Sequence, residues 1–202
     1  TSTSTNTSTS TQTRTNTPTS TTSFAARSVV INEVAWMGTT ASANDEWIEL
    51  LNTTASTINL NNWTVTIDSG TPITLTGSIP ANGFYLLERT TDDTTISDIA
   101  ADKMYTGSAL VNTGGTLTLR DPSSTVIDTA NGNGGAWPAG DNSTSTNRLT
   151  MERNNPTSPE TDSNWVTNNG STINGLDAGG NPIKGTPKQP NSSLSPTATR
   201  TN

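Results

Sequence analysis

Two apolar runs near the N-terminus interrupt an otherwise polar chain. They cover Val29–Trp36 and Glu46–Asn52, and both are rich in aliphatic and aromatic residues. Such residues favour β-strands because their side chains pack well on a pleated surface. We therefore predict that the two runs form the opening strands, and the core, of a β-domain.

Shorter strand candidates follow at close intervals, separated by turns rich in Gly, Asn, Asp and Pro. In Trp63–Ile67 and Thr116–Leu119, apolar residues alternate with Thr, as in half-buried antiparallel strands. We assign one short helical turn, to Ile96–Met104. Many short strands with turn residues between them predict an all-β antiparallel sandwich or barrel. The candidates are Ile58–Leu60, Trp63–Ile67, Ile73–Thr76, Phe84–Glu88, Thr116–Arg120, Val126–Thr129 and Leu149–Arg153.

The composition excludes several classes of function. The chain carries a formal net charge of −7 and has no basic run, which argues against nucleic-acid binding. It contains no Cys and no His, so thiolate nucleophiles, imidazole bases and the usual zinc sites are excluded. We predict no membrane span, because no apolar run is long enough. Because the chain begins with Thr1, we expect a piece of a larger precursor.

Residues 1–23 form a low-complexity arm with Thr at every odd position. A period of two places these side chains on one face of an extended strand, which spans up to about 75 Å. The arm is interpreted either as an O-glycosylated linker or as an assembly strand that adds to a neighbouring copy. Residues 192–202 form a tail of similar composition, so the domain is expected at 24–191. The arm threonines are Thr1, Thr3, Thr5, Thr7, Thr9, Thr11, Thr13, Thr15, Thr17, Thr19 and Thr21.

Several motifs together resemble the lamin tail domain family, as it occurs in secreted bacterial and archaeal proteins. Lys188 departs from the family's closing motif, where a Gly is usual, and this affects only a turn. In chain order, the matching segments are Val30–Thr39 with Asp45–Asn52, Leu60–Val65, Leu117–Pro122 with Val126–Asp128, Met151–Arg153, and Gly185–Asn191.

The resemblance implies an immunoglobulin-like β-sandwich at an extracellular or cell-surface location. It implies a non-enzymatic module with binding, attachment or assembly roles, and no catalytic residues carry over. We expect a subunit or repeat of a surface fibre, a homopolymer assembled through the sandwich and the arm. The alternative is an accessory module, tethered by Ser/Thr stalks to a secreted enzyme, that binds polysaccharide, cell wall or protein.

Glu33 and Glu49 lie on the two opening strands and are candidate neighbours. A carboxylate pair can serve glycoside hydrolysis or calcium binding. The alternative, which we favour, is that both face water or pair with arginine. The arginines considered are Arg120, Arg148 and Arg153.

No cofactor is predicted, and loop carboxylates offer only weak candidates for calcium. Asp45–Glu46, Asp92–Asp93 and Asp177–Asn181 supply oxygen ligands, but their spacing matches no calcium loop.

The tryptophans are candidates for core packing or for sugar binding, and several asparagines are candidates for glycosylation. Trp36, Trp47 and Trp63 lie in strand patterns and are assigned to packing. Trp137 and Trp165 anchor the polar segment from Gly132 to Gly185, which is expected to be irregular, and they are the candidates for a sugar platform. Asn-x-Ser/Thr triplets, candidates for N-glycosylation, begin at Asn6, Asn52, Asn62, Asn142, Asn169 and Asn191.

Overall fold

The computed structural model describes residues 1–4, 23–90 and 95–194 of the chain. These residues form an all-β structure, and the predicted immunoglobulin-like β-sandwich is confirmed. The strands are β1 (Val29–Ala35), β2 (Trp47–Asn52), β3 (Ile58–Asn59), β4 (Thr64–Ile67), β5 (Ile73–Thr74), β6 (Ser78–Ile79), β7 (Phe84–Arg89), β8 (Lys103–Tyr105), β9 (Leu117–Arg120), β10 (Val126–Ala130), β11 (Asp141–Thr144), β12 (Asn147–Leu149), β13 (Met151–Arg153) and β14 (Trp165–Thr167).

Two sheets make the sandwich. The larger has six strands in the order β14-β13-β1-β2-β7-β8, and the smaller has four in the order β10-β9-β4-β5. The named strand pairs are antiparallel except β7 with β8, which run parallel. The two predicted opening strands, β1 and β2, lie side by side at the centre of the larger sheet. Two small sheets, β3-β6 and β11-β12, complete the fold.

The two sheets differ in how they are covered. Along β4 and β9, buried residues alternate with half-buried ones, as the Thr alternation predicts. Every residue of β1 is buried, which means that both faces of the larger sheet are covered at its centre. One face packs into the sandwich core, which contains the fully buried Trp63. Trp47, also fully buried, lies on the opposite face, with its ring next to Gly185. The packing role predicted for these tryptophans is confirmed, as it is for Trp36, which is 6% exposed.

The structure contains strands that the sequence patterns did not indicate. Residues 96–104, predicted as a short helical turn, instead lead through bends into β8. The segment 132–185, predicted to be irregular apart from the strand candidate Leu149–Arg153, also contains β11, β12, β14 and a 3-10 helix at Asp162–Asn164. The candidate itself is confirmed as β13. These short polar strands lack the alternation that made the others visible. β11 and β12 pair with each other as a local hairpin, whereas β13 is fixed by β1, which lies far away in sequence.

Polar residues near the end of the domain cover the outer face of the larger sheet. Residues 184–192, here called the C-terminal cap, cross β13, β1 and β2. The cap is fixed at one end where the Thr150 amide donates to the Lys184 carbonyl. At the other end, Asn191 is 1% exposed, and its side-chain amide donates to the carbonyls of Asn32 and Arg153. Across the described ranges, no helix has the length and apolar character needed to cross a membrane.

Candidate functional site

Three glutamates form a row across the centre of the larger sheet. Glu33 on β1 lies opposite Glu152 on β13 and also opposite Glu49 on β2. Residues in register on adjacent strands place their side chains on the same face. All three side chains are fully buried. We call them the carboxylate row; the predicted proximity of Glu33 and Glu49 is confirmed.

The cap supplies hydrogen-bond donors to Glu33 and Glu152. The Oε1 atom of Glu33 accepts from the Thr186 amide at 2.9 Å and from the Thr150 hydroxyl at 2.5 Å. The Thr186 hydroxyl lies 2.8 Å from Glu33 Oε2 and 3.2 Å from Glu152 Oε1. Glu152 also accepts from Asn168 Nδ2 at 2.6 Å and from the amide and hydroxyl of Ser192 at 3.0 and 2.6 Å.

Glu49 is held by fewer donors. Its Oε1 accepts from Asn32 Nδ2 at 3.1 Å, and its Oε2 accepts from the Lys188 amide at 2.5 Å. Lys188 has φ 61°, the left-handed region that favours glycine, and the resemblance indicates a Gly at this turn. The Lys188 ammonium points away from the row and pairs with Asp102.

Burial changes the protonation of the row. Loss of solvent, reinforced by the charge of Glu152, raises the pKa of Glu33 to about 8. Burial together with the charge of Glu33 raises the pKa of Glu49 well above its ordinary value. Glu33 and Glu49 are therefore poorly suited to act as an ionised nucleophile–acid pair. The cap also keeps a substrate from reaching them.

The prediction that Glu33 and Glu49 face water or pair with arginine was wrong. Neither faces water, because the cap covers them, and none of the three candidate arginines pairs with them. Arg120 donates to the Ser124 carbonyl, Arg148 donates to the Met37 carbonyl, and Arg153 pairs with Asp128. One signal in the sequence points to this interior role: each glutamate lies in a strand made mostly of apolar residues.

Arg153 and Asp128 form a second buried ionic group, on β13 and β10. Their side chains approach to 2.5 Å and are 0% and 2% exposed. Asp128 Oδ2 also accepts from the Ile31 amide at 2.9 Å, so the pair links the two sheets. Burial outweighs the attraction of Arg153 and raises the pKa of Asp128 to about 6.

A surface groove lies between the two sheets where both end. Its walls are residues 71–74, around β5, and residues 103–108, around β8, and its volume is about 530 Å³. β5 and β8 are the terminal strands of the smaller and the larger sheet. Met104, on the wall, is 54% exposed. We call this the edge groove; terminal strands are the places where a further strand can add.

The N-terminal arm joins the domain beside the smaller sheet, where the Arg27 amide donates to the Ile127 carbonyl of β10 at 2.8 Å. Phe24 packs edge-on against Trp63 with ring centroids 4.7 Å apart. The Trp63 carbonyl accepts from the Leu75 amide at 2.8 Å, one residue beyond β5. Of the arm threonines, Thr1 and Thr3 lie among the described residues and are exposed, and those from Thr5 to Thr21 lie outside them. The base of the arm is thus anchored on the smaller sheet.

The loop carboxylates considered for calcium accept hydrogen bonds from nitrogen and hydroxyl donors. Asp177 accepts from the Gly179, Asn181 and Ala41 amides at 2.8–2.9 Å. Glu46 accepts from the Leu110 amide at 2.6 Å, and burial raises its pKa to about 7. Asp45 accepts from the Thr39 hydroxyl at 3.4 Å. Asp92 and Asp93 lie outside the described residues. Within the described ranges, no three Asp or Glu side chains are arranged to hold a metal ion.

The two tryptophans considered as sugar platforms differ in accessibility. Trp165 is 4% exposed, and the Arg153 guanidinium stacks 4.8 Å from its ring centroid, so it cannot serve as a platform. Trp137 is half-buried, and its indole N–H donates to the Val111 carbonyl at 2.8 Å. Its partly accessible ring is therefore held in a fixed orientation.

The Asn-x-Ser/Thr asparagines differ in accessibility. Asn52 is buried, and its amide donates to the carbonyls of Ser56, Ile79 and Pro80. Asn191, within the cap, is also buried, so neither side chain can carry a glycan in the folded domain. The triplet pattern could not reveal this, because it contains no information on burial. The exposed candidates are Asn62, Asn142 and Asn169, and Asn6 lies outside the described residues.

Comparison with known proteins identifies the domain. The family model for the lamin tail domain matches residues 22–134, which is more than half of the chain and spans β1 to β10. The closing motifs and the cap lie beyond the matched residues, although β13 and β14 belong to the same sheet as β1. No curated protein matches the chain. The lamin tail domain is an immunoglobulin-like, non-catalytic fold, and this chain belongs to the lamin tail domain family.

Proposed function

We propose that this protein is a non-enzymatic, extracellular structural subunit that assembles with copies of itself into a surface fibre. The N-terminal arm of one copy lies along the edge groove of the next and adds a strand there. The observation that carries the proposal is the position of the groove between two terminal strands, β5 and β8. An added strand satisfies backbone groups that a sheet edge leaves unpaired.

Two features of the arm support this assignment. Its period of two gives one uniform Thr face, and Thr has a high β-propensity. Phe24 fixes the base of the arm on Trp63, so the arm leaves the domain from a defined point. A span of about 70 Å for 22 extended residues is ample for reaching a second copy.

The chemistry of the buried carboxylates is consistent with a structural role. The three glutamates of the row are enclosed by the cap, and Asp128 is paired with Arg153. These groups hold the domain together and are inaccessible to a substrate.

Deletion of residues 1–22, which retains Phe24, tests the assembly. We expect the truncated domain to stay folded and monomeric, while the full chain forms oligomers or fibres in sedimentation and electron microscopy. A control arm with the same composition but shuffled order should assemble less well, because its Thr face is lost. If the truncated protein still formed fibres, the arm would not be the segment that drives assembly.

A substitution in the edge groove tests the acceptor side. Met104→Lys places a charge on the terminal strand β8, where charged residues oppose strand addition. Assembly should weaken, whereas the melting temperature should change little because the side chain is 54% exposed. Val126→Lys, at an exposed position on β10, is the matched control and should assemble normally.

The second candidate is an accessory module that binds polysaccharide. The fixed, partly accessible indole of Trp137 favours it, because sugars stack on aromatic rings held in place. Val111, beside it, is 51% exposed and extends the apolar surface. A glycan array with the isolated domain and with Trp137→Ala decides the matter: binding that the substitution abolishes supports this candidate.

A further inference from the structure

We propose that Glu33, Thr186 and Glu152 form a proton-operated latch that holds the C-terminal cap over the larger sheet and releases it when the shared proton is lost. The latch does not depend on the proposed assembly. It follows from the number of hydrogens available among the three side chains.

The Thr186 hydroxyl has one hydrogen but faces two carboxyl oxygens, at 2.8 Å in Glu33 and 3.2 Å in Glu152. If both glutamates were ionised, one oxygen would face a hydroxyl lone pair. A proton on Glu33 Oε2 resolves this, because Glu33 then donates to Thr186, and Thr186 donates to Glu152. One proton thus completes a chain of hydrogen bonds that joins both strands to the cap.

The proton belongs on Glu33 for a geometric reason. Glu152 accepts from Asn168, from Thr186 and twice from Ser192, and this set of donors stabilises a negative charge. Glu33 has fewer donors and lies between two other carboxyl groups, Glu152 and Glu49.

Among the described residues packed against the row, Lys188 is a cation whose charge acts on Glu49, but it lowers the pKa of Glu49 less than burial and Glu33 raise it. The titratable groups that face Glu33 are Glu152 from β13 and Glu49 from β2. The Lys188 ammonium is engaged by Asp102, and the Lys184 ammonium, also on the cap, donates to Asn147 at 3.2 Å. Loss of the Glu33 proton therefore adds a buried charge next to others of the same sign.

The pKa of Glu33, raised to about 8, places this event in a mildly alkaline range. A group with a raised pKa binds its proton more tightly when the cap is closed, so closure is favoured at low pH and weakens as the pH rises through 8. With an ordinary value of 4.5 in the open form, the opening equilibrium should increase roughly 10- to 100-fold between pH 6 and pH 9.

Hydrogen exchange on the full chain tests the latch. The amides of Thr186, Lys188 and Ser192 donate directly to the row and report on cap opening. After correction for intrinsic exchange, the protection factors of these amides should fall roughly 10- to 100-fold between pH 6 and pH 9. The protection factors of the Thr118 and Thr129 amides, in the smaller sheet, should change less. In Glu33→Gln, which mimics the protonated acid, the cap amides should show a clearly smaller fall, and what remains comes from Glu49, whose pKa is also raised.

Two further variants separate the latch from a general loss of packing. Thr186→Ser keeps the bridging hydroxyl and should keep the pH dependence, whereas Thr186→Val should reduce it. Protection of the cap that does not depend on pH in the wild type, or a Glu33→Gln variant with the wild-type slope, would overturn the proposal.

Discussion

Glu33 and Glu152 lie opposite each other on adjacent strands, fully buried, and share the single hydroxyl of Thr186. Two buried carboxyl groups with no facing cation are costly when both are ionised. Hydrogen-bond donors from the cap offset part of this cost, because they bond to both carboxyl groups. The centre of the domain is therefore sensitive to protons, although the chain contains no histidine.

The first prediction concerns global stability. Glu33 and Asp128 have pKa values raised to about 8 and about 6, from 4.5 and 3.8. Native carboxyl groups that bind protons more tightly than unfolded ones stabilise the fold at low pH. The free energy of unfolding should therefore decrease, by a few kcal/mol, as the pH rises from about 4 to about 8. Thermal melts across this range test it, and a maximum near pH 8 would contradict it.

The second prediction concerns the buried ion pair. Arg153→Leu leaves Asp128 without its partner and removes donors from the carbonyls of Ile31 and Thr129. We expect a loss of about 3–5 kcal/mol. Adding Asp128→Asn should recover part of that loss, because the uncompensated charge disappears. Urea unfolding of the single and double variants measures both effects.

The third prediction concerns Asn52, whose amide serves three carbonyl groups. Asn52→Ala leaves these acceptors unsatisfied and should cost at least about 2 kcal/mol. Asn142→Ala, at an exposed position on β11, is the control and should cost less than about 0.5 kcal/mol. Equal melting temperatures for the two variants would contradict the assigned role of Asn52.

The fourth prediction concerns the space beneath the cap. A Cβ at Gly185 would lie 2.7 Å from Glu33 Oε1 and 2.9 Å from the Trp47 ring. Gly185→Ala should therefore displace the cap and cost about 1–3 kcal/mol, with faster exchange at the Thr186 amide. Unchanged exchange would show that the cap accommodates the methyl group.

The fifth prediction concerns glycans. When the chain is expressed in a host that glycosylates Asn-x-Ser/Thr triplets, modification among the described residues should occur at Asn62, Asn142 or Asn169. Asn52 and Asn191 should remain unmodified in folded protein, because their amides are buried and bonded. Peptide mapping by mass spectrometry reads this directly, and a glycan on either buried residue would contradict the structure.

Local pattern was enough to predict the fold class. The apolar runs at 29–36 and 46–52, and the Thr alternation in 63–67 and 116–119, each describe a strand and the face it buries. These signals are local because alternation depends only on neighbouring residues. The family motifs add the immunoglobulin-like arrangement, which the family match supports.

The carboxylate row depends on tertiary structure. Glu33 and Glu49 stand out in sequence, but their burial depends on Thr186, which lies 153 residues from Glu33. Glu152, on β13, enters the row through strand register, which no local pattern specifies. The sequence by itself determined the fold class, the longer strands and the Thr-rich arm. Only the tertiary structure decided that the cap folds back over the glutamates, because that burial follows from contacts between distant segments.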